Sequence, residues 1–250
     1  MDEGLPRPLS ALRLRWSARF GFFLRAEAPV VGLGYPFPPR TAALGLLAAV
    51  LGLEKDALAE ELADTRVALL GAQPATHWHR CNLRKVKEMR LLPAKVAEAQ
   101  APKLSMPEET NTQTRQEWLI NPRFELVVVP SARHADALHR RLRDGAFHFT
   151  PCMGLSEMLA DVEFLGAETL SPLPEGTHEV RSLAREDEGT LDVEATLAGR
   201  LRVISQRMPR AVDAARRFTH ATYWCSGDER PLPLKTARAY GSKTGPVMFL

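Results

Sequence analysis

The order in which strand-like and helix-like segments follow one another is the feature that most constrains this fold. Residues 11–20 alternate apolar and polar side chains, which predicts a strand with one buried face. Residues 124–129 are rich in valine, which predicts a strand within a buried sheet. The core series reads strand 11–20, helix 41–51, strand 66–70, strand 124–129, helix 133–143 and strand 162–170. This order is that of a split βαβ unit, so we expect an α+β, ferredoxin-like domain.

Composition changes along the chain and predicts three regions. Residues 72–114 are polar, basic and interrupted by prolines, which indicates an extended insertion between core residues 1–71 and 115–172. Residues 173–250 contain short strand-like runs and form a β-rich carboxy-terminal region, either as a second lobe or as strands added to the first sheet. Shorter predicted segments are an acidic helix at 55–62, strands at 147–149, 191–197, 201–204 and 246–250, and a helical turn at 155–160.

The net charge of +3 conceals a strong partition of charge. Residues 74–103 hold seven basic and two acidic side chains, residues 199–217 hold six basic and one acidic, and residues 157–194 hold eleven acidic and two basic. Two basic blocks separated by an acidic one indicate either a molecule with one face for a polyanion or an alternating solvated surface.

Three cysteines, at positions 81, 152 and 225, form no C-x-x-C pair, which predicts neither a disulfide framework nor a zinc ribbon and fits a reducing cytoplasm. The longest apolar run, residues 41–53, is too short to span a bilayer, and the first residues do not read as a signal peptide. We therefore expect no membrane association.

Three segments resemble the signatures of one known family. The first is GYPFPPRTAALGLLAAVLG at residues 34–52, the second is TRQEWLINPRF at residues 114–124, and the third is FHFTPCMGLSE at residues 147–157. In this order they are similar to the motifs of the CRISPR-associated Cas-five family, with Cys152 where an aromatic residue is common. The family consists of repeat-associated mysterious proteins (RAMPs) that cap the 5′ handle of the crRNA in type I Cascade complexes.

The resemblance covers residues 11 to about 170 and implies a fold and a set of partners. It implies a ferredoxin-like RAMP domain whose insertion is a thumb that grips the neighbouring backbone subunit, and whose first strand-to-helix loop meets the crRNA handle. The implied partners are the crRNA 5′ handle, the backbone RAMP subunit, the large PAM-reading subunit and, through the complex, target DNA. The first motif is closest in style to type I-B.

A subunit that holds a single-stranded RNA end needs cations for phosphates, small residues that let the backbone approach and planar groups for bases. The expected RNA-binding residues are Arg25, Gly32, Gly34, Tyr35, Arg40, Thr41, Lys85, Lys87, Gln113 and Arg115. Several have a structural alternative. Tyr35 and Phe37 could anchor their loop on the core, Lys85 and Lys87 could contact a neighbouring subunit or simply be solvated, and Arg115 could pair with Glu117 or Glu109.

The residues around His77 could also form a metal site or a ribonuclease active site. His77, His79 and Cys81 are clustered, but their spacing fits no structural zinc pattern, so we expect no metal and no cofactor. The same histidines, with Lys85 or Lys87 and Tyr35, could serve a metal-independent endoribonuclease like the type I-C members of the family. We expect a non-catalytic protein. A more distant alternative is the capping subunit of type III complexes, whose glycine-rich carboxy-terminal motif the sequence lacks.

Overall fold

The computed structural model describes residues 7–25, 31–55, 57–84, 111–213 and 215–250, which form fifteen strands and four α-helices. The strands of the amino-terminal part are β1 Leu9–Ala18, β2 Phe20–Gly21, β3 Arg66–Leu70, β4 Ala75–Arg84, β5 Asn111–Ile120, β6 Arg123–Val129 and β7 Ala160–Pro172. Those of the carboxy-terminal part are β8 Gly176–Val180, β9 Ala184–Arg185, β10 Thr190–Leu191, β11 Val203–Val212, β12 Phe218–Ser226, β13 Leu232–Thr236, β14 Tyr240–Ser242 and β15 Gly245–Val247. The helices are α1 Arg40–Leu51, α2 Leu58–Glu61, α3 Ala135–Asp144 and α4 Val193–Ala198.

A six-stranded antiparallel sheet in the order β15-β14-β7-β1-β6-β3 forms the centre of the molecule. The alternation that predicted β1 buries Leu12, Leu14 and Trp16 on one face of this sheet. Helices α1 and α3 contribute to the same hydrophobic cluster, α3 through Leu138 and Leu142. The prediction of a mixed α+β domain is confirmed at this level.

Helix α1 fills most of the space above the sheet. Six of its twelve residues are buried, as its apolar sequence predicted. Proline suits a helix start because its missing N–H is one that a helix leaves unpaired there, and Pro39 immediately precedes α1 with a φ of −59°. Gly52, with a φ of 81°, ends it by donating its N–H to the Ala48 carbonyl.

Several predicted segments differ from the structure. Residues 155–160 form a non-helical turn, because the Met153 N–H donates to the Met158 carbonyl, and Ala160 already begins β7. The strand predicted at 201–204 is β11, which begins at Val203 and continues to Val212. Among the described residues of the predicted helix 55–62, α2 covers Leu58–Glu61. Residues 147–149 form no strand, because the N–H groups of His148 and Phe149 donate to the carbonyls of Val50 and Ala49 at the end of α1. The predicted strand at 191–197 is mostly α4, because the Asp192 carboxylate accepts a hydrogen bond from the Ala195 N–H and starts a helix there.

The carboxy-terminal region adds two three-stranded sheets, β10-β13-β8 and β11-β12-β9, while β14 and β15 extend the central sheet. It also covers the outer edge of β3. The Leu183 N–H donates to the Leu69 carbonyl at 2.8 Å, and the Leu250 N–H donates to the Val67 carbonyl at 2.9 Å. Buried Ser182 ties these two segments together, since its hydroxyl bonds both the carbonyl and the N–H of Met248.

Within the described ranges, no helix combines the length and the apolar character needed to cross a bilayer. The three cysteines are free thiols, and Cys225 is buried in the main hydrophobic cluster.

Candidate nucleic-acid interface

A hairpin of two ten-residue strands, β4 and β5, contains most of the described residues of the predicted insertion 72–114, but β5 continues to Ile120, past the predicted boundary. The strands pair antiparallel, with His77 opposite Trp118 and Arg80 opposite Arg115. Because side chains alternate along a strand, these two pairs lie on opposite faces of the hairpin. Lys85 and Lys87, which were expected in the RNA site, lie outside the described residues.

The face that carries Trp118 is occupied by internal contacts. His79 stacks on Trp118 with ring centroids 3.8 Å apart, and Trp118 Nε1 donates to Gln116 Oε1 at 2.9 Å. The Cys81 thiol donates to the same Gln116 oxygen at 3.2 Å. In the part of the chain that the structure describes, no three His, Cys, Asp or Glu side chains are placed to hold a metal ion.

The opposite face of the hairpin is exposed and cationic. We call it the arginine face, and its exposed residues are Trp78, Arg80, Asn82, Gln113 and Arg115; half-buried Glu117, opposite Trp78, is the acid on the same face. Arg80 and Arg115 are directly opposite each other, and among the described residues neither has an ion-pair partner. Like charges in opposed positions destabilise a strand pair, so a bound anion would stabilise this one. Trp78 is 46% exposed and offers an aromatic surface at the same face.

The connection between β2 and α1, described at residues 22–25 and 31–39, which we call the glycine-containing loop, lies along the other edge of β5. The Gly32 N–H donates to the Arg115 carbonyl, and the Gly32 carbonyl accepts from the Glu117 N–H, both at 2.8 Å. A Cβ at Gly32 would lie 3.0 Å from the Arg115 oxygen, and one at Gly34 would lie 3.0 Å from the Glu117 oxygen. Both glycines therefore allow the loop to pack against β5 at Arg115 and Glu117.

Arg25 and Tyr35 hold this loop together. The Arg25 guanidinium donates to the Gly34 carbonyl at 2.9 Å and to Gln206 Oε1 of β11 at 3.2 Å, and it lies over the Tyr35 ring. Tyr35 is only 1% exposed, and Phe37 is fully buried against Phe124. In this conformation neither ring offers a face to a base, which agrees with the alternative that they anchor the loop.

Arg40 and Thr41 lie apart from the hairpin, in the first turn of α1 beside β11. The Arg40 guanidinium donates to the carbonyls of Thr65 and Arg210 at 2.9 and 3.2 Å. Burial, and then the proximity of Arg210, lower the pKa of this guanidinium. The expected RNA-binding residues thus fall into two groups, one around β5 and one at the start of α1.

A cleft of about 410 Å³ lies between the glycine-containing loop and the β11–β12 hairpin, and sequence reasoning did not find it. Thr41, Lys55, Arg216, Phe218 and His220 line it together with apolar residues of the loop. Phe218 is partly exposed, and the Arg216 guanidinium lies 5.9 Å from the centre of its ring. The basic block at residues 199–217, which includes Arg216, was the sequence feature that could have pointed to this cleft. Aromatic and cationic groups around an apolar floor suit an unstacked nucleobase.

Two solved structures share this fold. A chain of a CRISPR RNA-guided surveillance complex matches with a TM-score of 0.52 at 16% identity, over 89% of this chain and 91% of that one. A CRISPR protein from Archaeoglobus fulgidus matches with a TM-score of 0.50 at 14% identity, over 96% of this chain and 98% of that one. The protein therefore has a fold found among CRISPR proteins.

The family can be stated more narrowly. The sequence model described as CRISPR-associated protein (Cas_Cas5) matches residues 11–220. This chain belongs to that family, as the three motifs predicted. No curated protein sequence matches it.

Proposed function

We propose that this protein is a non-catalytic subunit of a type I CRISPR Cascade effector, where it binds the 5′ handle of the crRNA. In that complex it links the backbone RAMP subunits to the large, PAM-reading subunit for RNA-guided targeting of DNA in antiviral defence. Membership of the Cas-five family and the likeness to a chain of an RNA-guided surveillance complex support a role in a CRISPR effector complex.

The topology supports a ferredoxin-like RAMP domain. The four inner strands stand in the order β7-β1-β6-β3, and α1 and α3 connect β1 to β3 and β6 to β7. This is the arrangement expected of a split βαβ unit. The β4–β5 hairpin is inserted between its second and third strands, and we assign it to the proposed thumb.

The arginine face is the observation that carries handle binding. Arg80 and Arg115 are exposed, directly opposed and without ion-pair partners among the described residues. Phosphates supply the missing negative charge, and Trp78 can stack on a base. The cleft beside Phe218 would hold a second unstacked base on the other side of the glycine-containing loop.

The test compares binding of the repeat-derived handle RNA by the unaltered chain and by the Arg80→Gln/Arg115→Gln variant, measured by fluorescence anisotropy at several salt concentrations. Loss of two phosphate contacts should weaken binding and reduce the slope of log K against log salt by about 1.4, since each contact contributes about 0.7 on single strands. The matched control is Arg140→Gln/Arg143→Gln, which removes two exposed arginines from α3. Equal affinities and slopes in all three proteins would contradict the proposal.

The absence of catalysis is part of the proposal and has its own test. The burial of Tyr35 supports it, because a catalytic hydroxyl must reach the RNA. Of the two candidate bases, His79 is stacked on Trp118, whereas His77 is exposed. Labelled repeat RNA incubated with the protein in EDTA should remain intact. Discrete cleavage that is lost in His77→Ala or His79→Ala would establish the endoribonuclease instead.

A further inference from the structure

A second cationic region lies between the core and the carboxy-terminal region, away from the arginine face. It is a cavity of about 620 Å³, which we call the arginine cavity. Its charged lining residues are Arg40, Arg66, Arg185, Arg210 and Arg238, with Asp64 and Glu188. Five guanidinium groups against two carboxylates leave the lining strongly positive.

Most of these guanidinium groups have no ion-pair partner within the described residues, although Asp187, outside the lining, lies near Arg210 as well as Arg185. Arg185 pairs with Asp187 and with Glu188, so one of the two lining carboxylates is already engaged. Arg66 lies over the Phe249 ring rather than beside an acid. Arg40 donates only to backbone carbonyls, which leaves its charge unbalanced.

The two remaining arginines have unused donors. Arg210 Nε is buried and has no hydrogen-bond partner among the described residues. The Arg238 side chain, at the exposed rim, has neither an ion pair nor a hydrogen bond within the same part of the chain. A buried donor without an acceptor costs free energy, so these groups favour a ligand that supplies acceptor oxygens.

A tyrosine beside the cavity adds a further unused donor. Tyr223 is fully buried, it lies opposite Arg185 in the β12–β9 pair, and its hydroxyl has no partner among the described residues. Burial raises the pKa of Tyr223 to about 12, so the hydroxyl remains protonated at neutral pH. Electrostatic interactions couple Tyr223 to Arg40, Arg185 and Arg210 and to the single acid Asp187, which places these groups in one neighbourhood with an excess of positive charge.

We infer that the arginine cavity binds a phosphate group. Guanidinium groups match a phosphate because each can donate two parallel hydrogen bonds to its oxygens. Burial lowers the pKa of the Arg40 guanidinium most, and repulsion by Arg210 lowers it further. A bound dianion would offset that repulsion. The inference does not depend on handle binding, since it uses none of the residues of the arginine face.

The phosphate could be free or could belong to a nucleotide, and the surroundings offer room for the larger ligand. A smaller cavity of about 230 Å³ shares Arg40 and Arg210 with the arginine cavity, and shares Thr41 and Val212 with the cleft beside Phe218. Neighbouring sites for a phosphate and for a base are therefore present along β11.

The first experiment measures the binding of inorganic phosphate to the full chain. Phosphate should raise the midpoint of thermal unfolding above that in chloride at equal ionic strength, and ³¹P NMR should show line broadening. Arg210→Gln/Arg238→Gln should weaken phosphate binding by about tenfold or more, because it removes charge-assisted hydrogen bonds. Arg207→Gln, an exposed arginine on the same strand, is the control and should bind like the unaltered protein.

An unaltered protein without a phosphate-specific shift would overturn the inference, as would an undiminished shift in the double variant. If the double variant fails to fold, Arg238→Gln alone decides the question, because its side chain makes no ion pair or hydrogen bond within the described residues. Weaker phosphate binding in this single variant supports the site, and unchanged binding overturns it.

The second experiment identifies the source of the phosphate by displacement from the loaded protein. Displacement by short RNA but not by a mononucleotide identifies an RNA phosphate, and displacement by the mononucleotide identifies a nucleotide. Displacement by neither identifies free phosphate. Loss of handle binding in the arginine-face variant with intact phosphate binding would separate the two sites.

Discussion

At the scale of single residues, Gly154 explains why one of the family-like motifs contains glycine. Its φ is +96°, and a Cβ there would lie 1.9 Å from the carbonyl oxygen of Phe22. The Phe22 N–H donates to the neighbouring Met153 carbonyl at 3.0 Å. The turn that contains Met153 and Gly154 therefore packs directly against the backbone that follows β2. The motif therefore contains glycine at position 154 because the Phe22 backbone leaves no room there for a side chain.

Gly154→Ala is expected to destabilise the protein by about 3 kcal/mol or more, because it combines an unfavourable φ with a backbone clash. Gly145 is the matched control, since it also has a positive φ, of +62°, but has no atoms within 4 Å of an added Cβ. Gly145→Ala should cost only about 1–2 kcal/mol, the penalty of the left-handed conformation. Denaturant unfolding measures the free energy of unfolding of both variants. Equal losses of stability would show that the Phe22 backbone shifts to accommodate the added Cβ without cost.

At the scale of elements, an ion-pair network links the three central strands on the face of the sheet opposite Leu14. Arg13 of β1 pairs with Glu125 of β6 at 2.9 Å and lies 3.6 Å from Glu168 of β7. The Glu168 side chain is 1% exposed, and its other oxygen accepts the Lys243 N–H at 2.7 Å. Arg13 therefore supplies the counter-charge of a buried carboxylate.

Arg13→Met should lower the free energy of unfolding by about 3 kcal/mol, because it leaves Glu168 buried without its cation. Adding Glu168→Gln should recover part of this loss. The control is Arg143→Met, whose pair with Asp144 is exposed to solvent and should contribute little to stability. Urea unfolding at neutral pH makes the comparison, and a loss no greater than that of the control would exclude a structural role for the network.

Sequence patterns predicted an element well where its own apolar residues determine whether it forms a buried strand or a buried helix. Strand β3 and helix α1 match their predictions because their apolar residues alone specify a buried strand and a buried helix. Residues 147–149 have strand-like side chains, but their N–H groups are used by the last carbonyls of α1. That competition depends on a tertiary contact, and no local pattern reports it.

The candidate sites show the same limit over longer distances. Gln113, Arg115 and Gly32 were expected to act together, and the structure brings them around β5. Arg80 was not singled out, because its position opposite Arg115 depends on the register of two strands far apart in sequence. The arginine cavity draws its lining from segments far apart in sequence, so the sequence singled out Arg40 and the basic block that contains Arg210 but could not show that they meet.

At the scale of the whole molecule, the carboxy-terminal region and the core should unfold together. Ser182→Ala removes both hydrogen bonds between Ser182 and Met248 and leaves buried groups unpaired, so we expect a loss of about 1–3 kcal/mol. Ser156→Ala is the control, since its exposed hydroxyl bonds only Glu157. Tryptophan fluorescence and circular dichroism should report one coincident transition, and two separate transitions would contradict a shared core.

The covered edge of β3 has a consequence for synthesis on the ribosome. Leu183 and Leu250, which bond the carbonyls of Leu69 and Val67, are synthesised long after β3. These two carbonyls therefore lack their hydrogen-bond donors during the time in which the first half of the chain can begin to fold. An open edge strand can pair with another chain, and contacts between distant residues form slowly. The nascent protein therefore passes through an interval in which strand β3 is exposed to aggregation, and its yield should depend on how quickly translation reaches the carboxy-terminal residues.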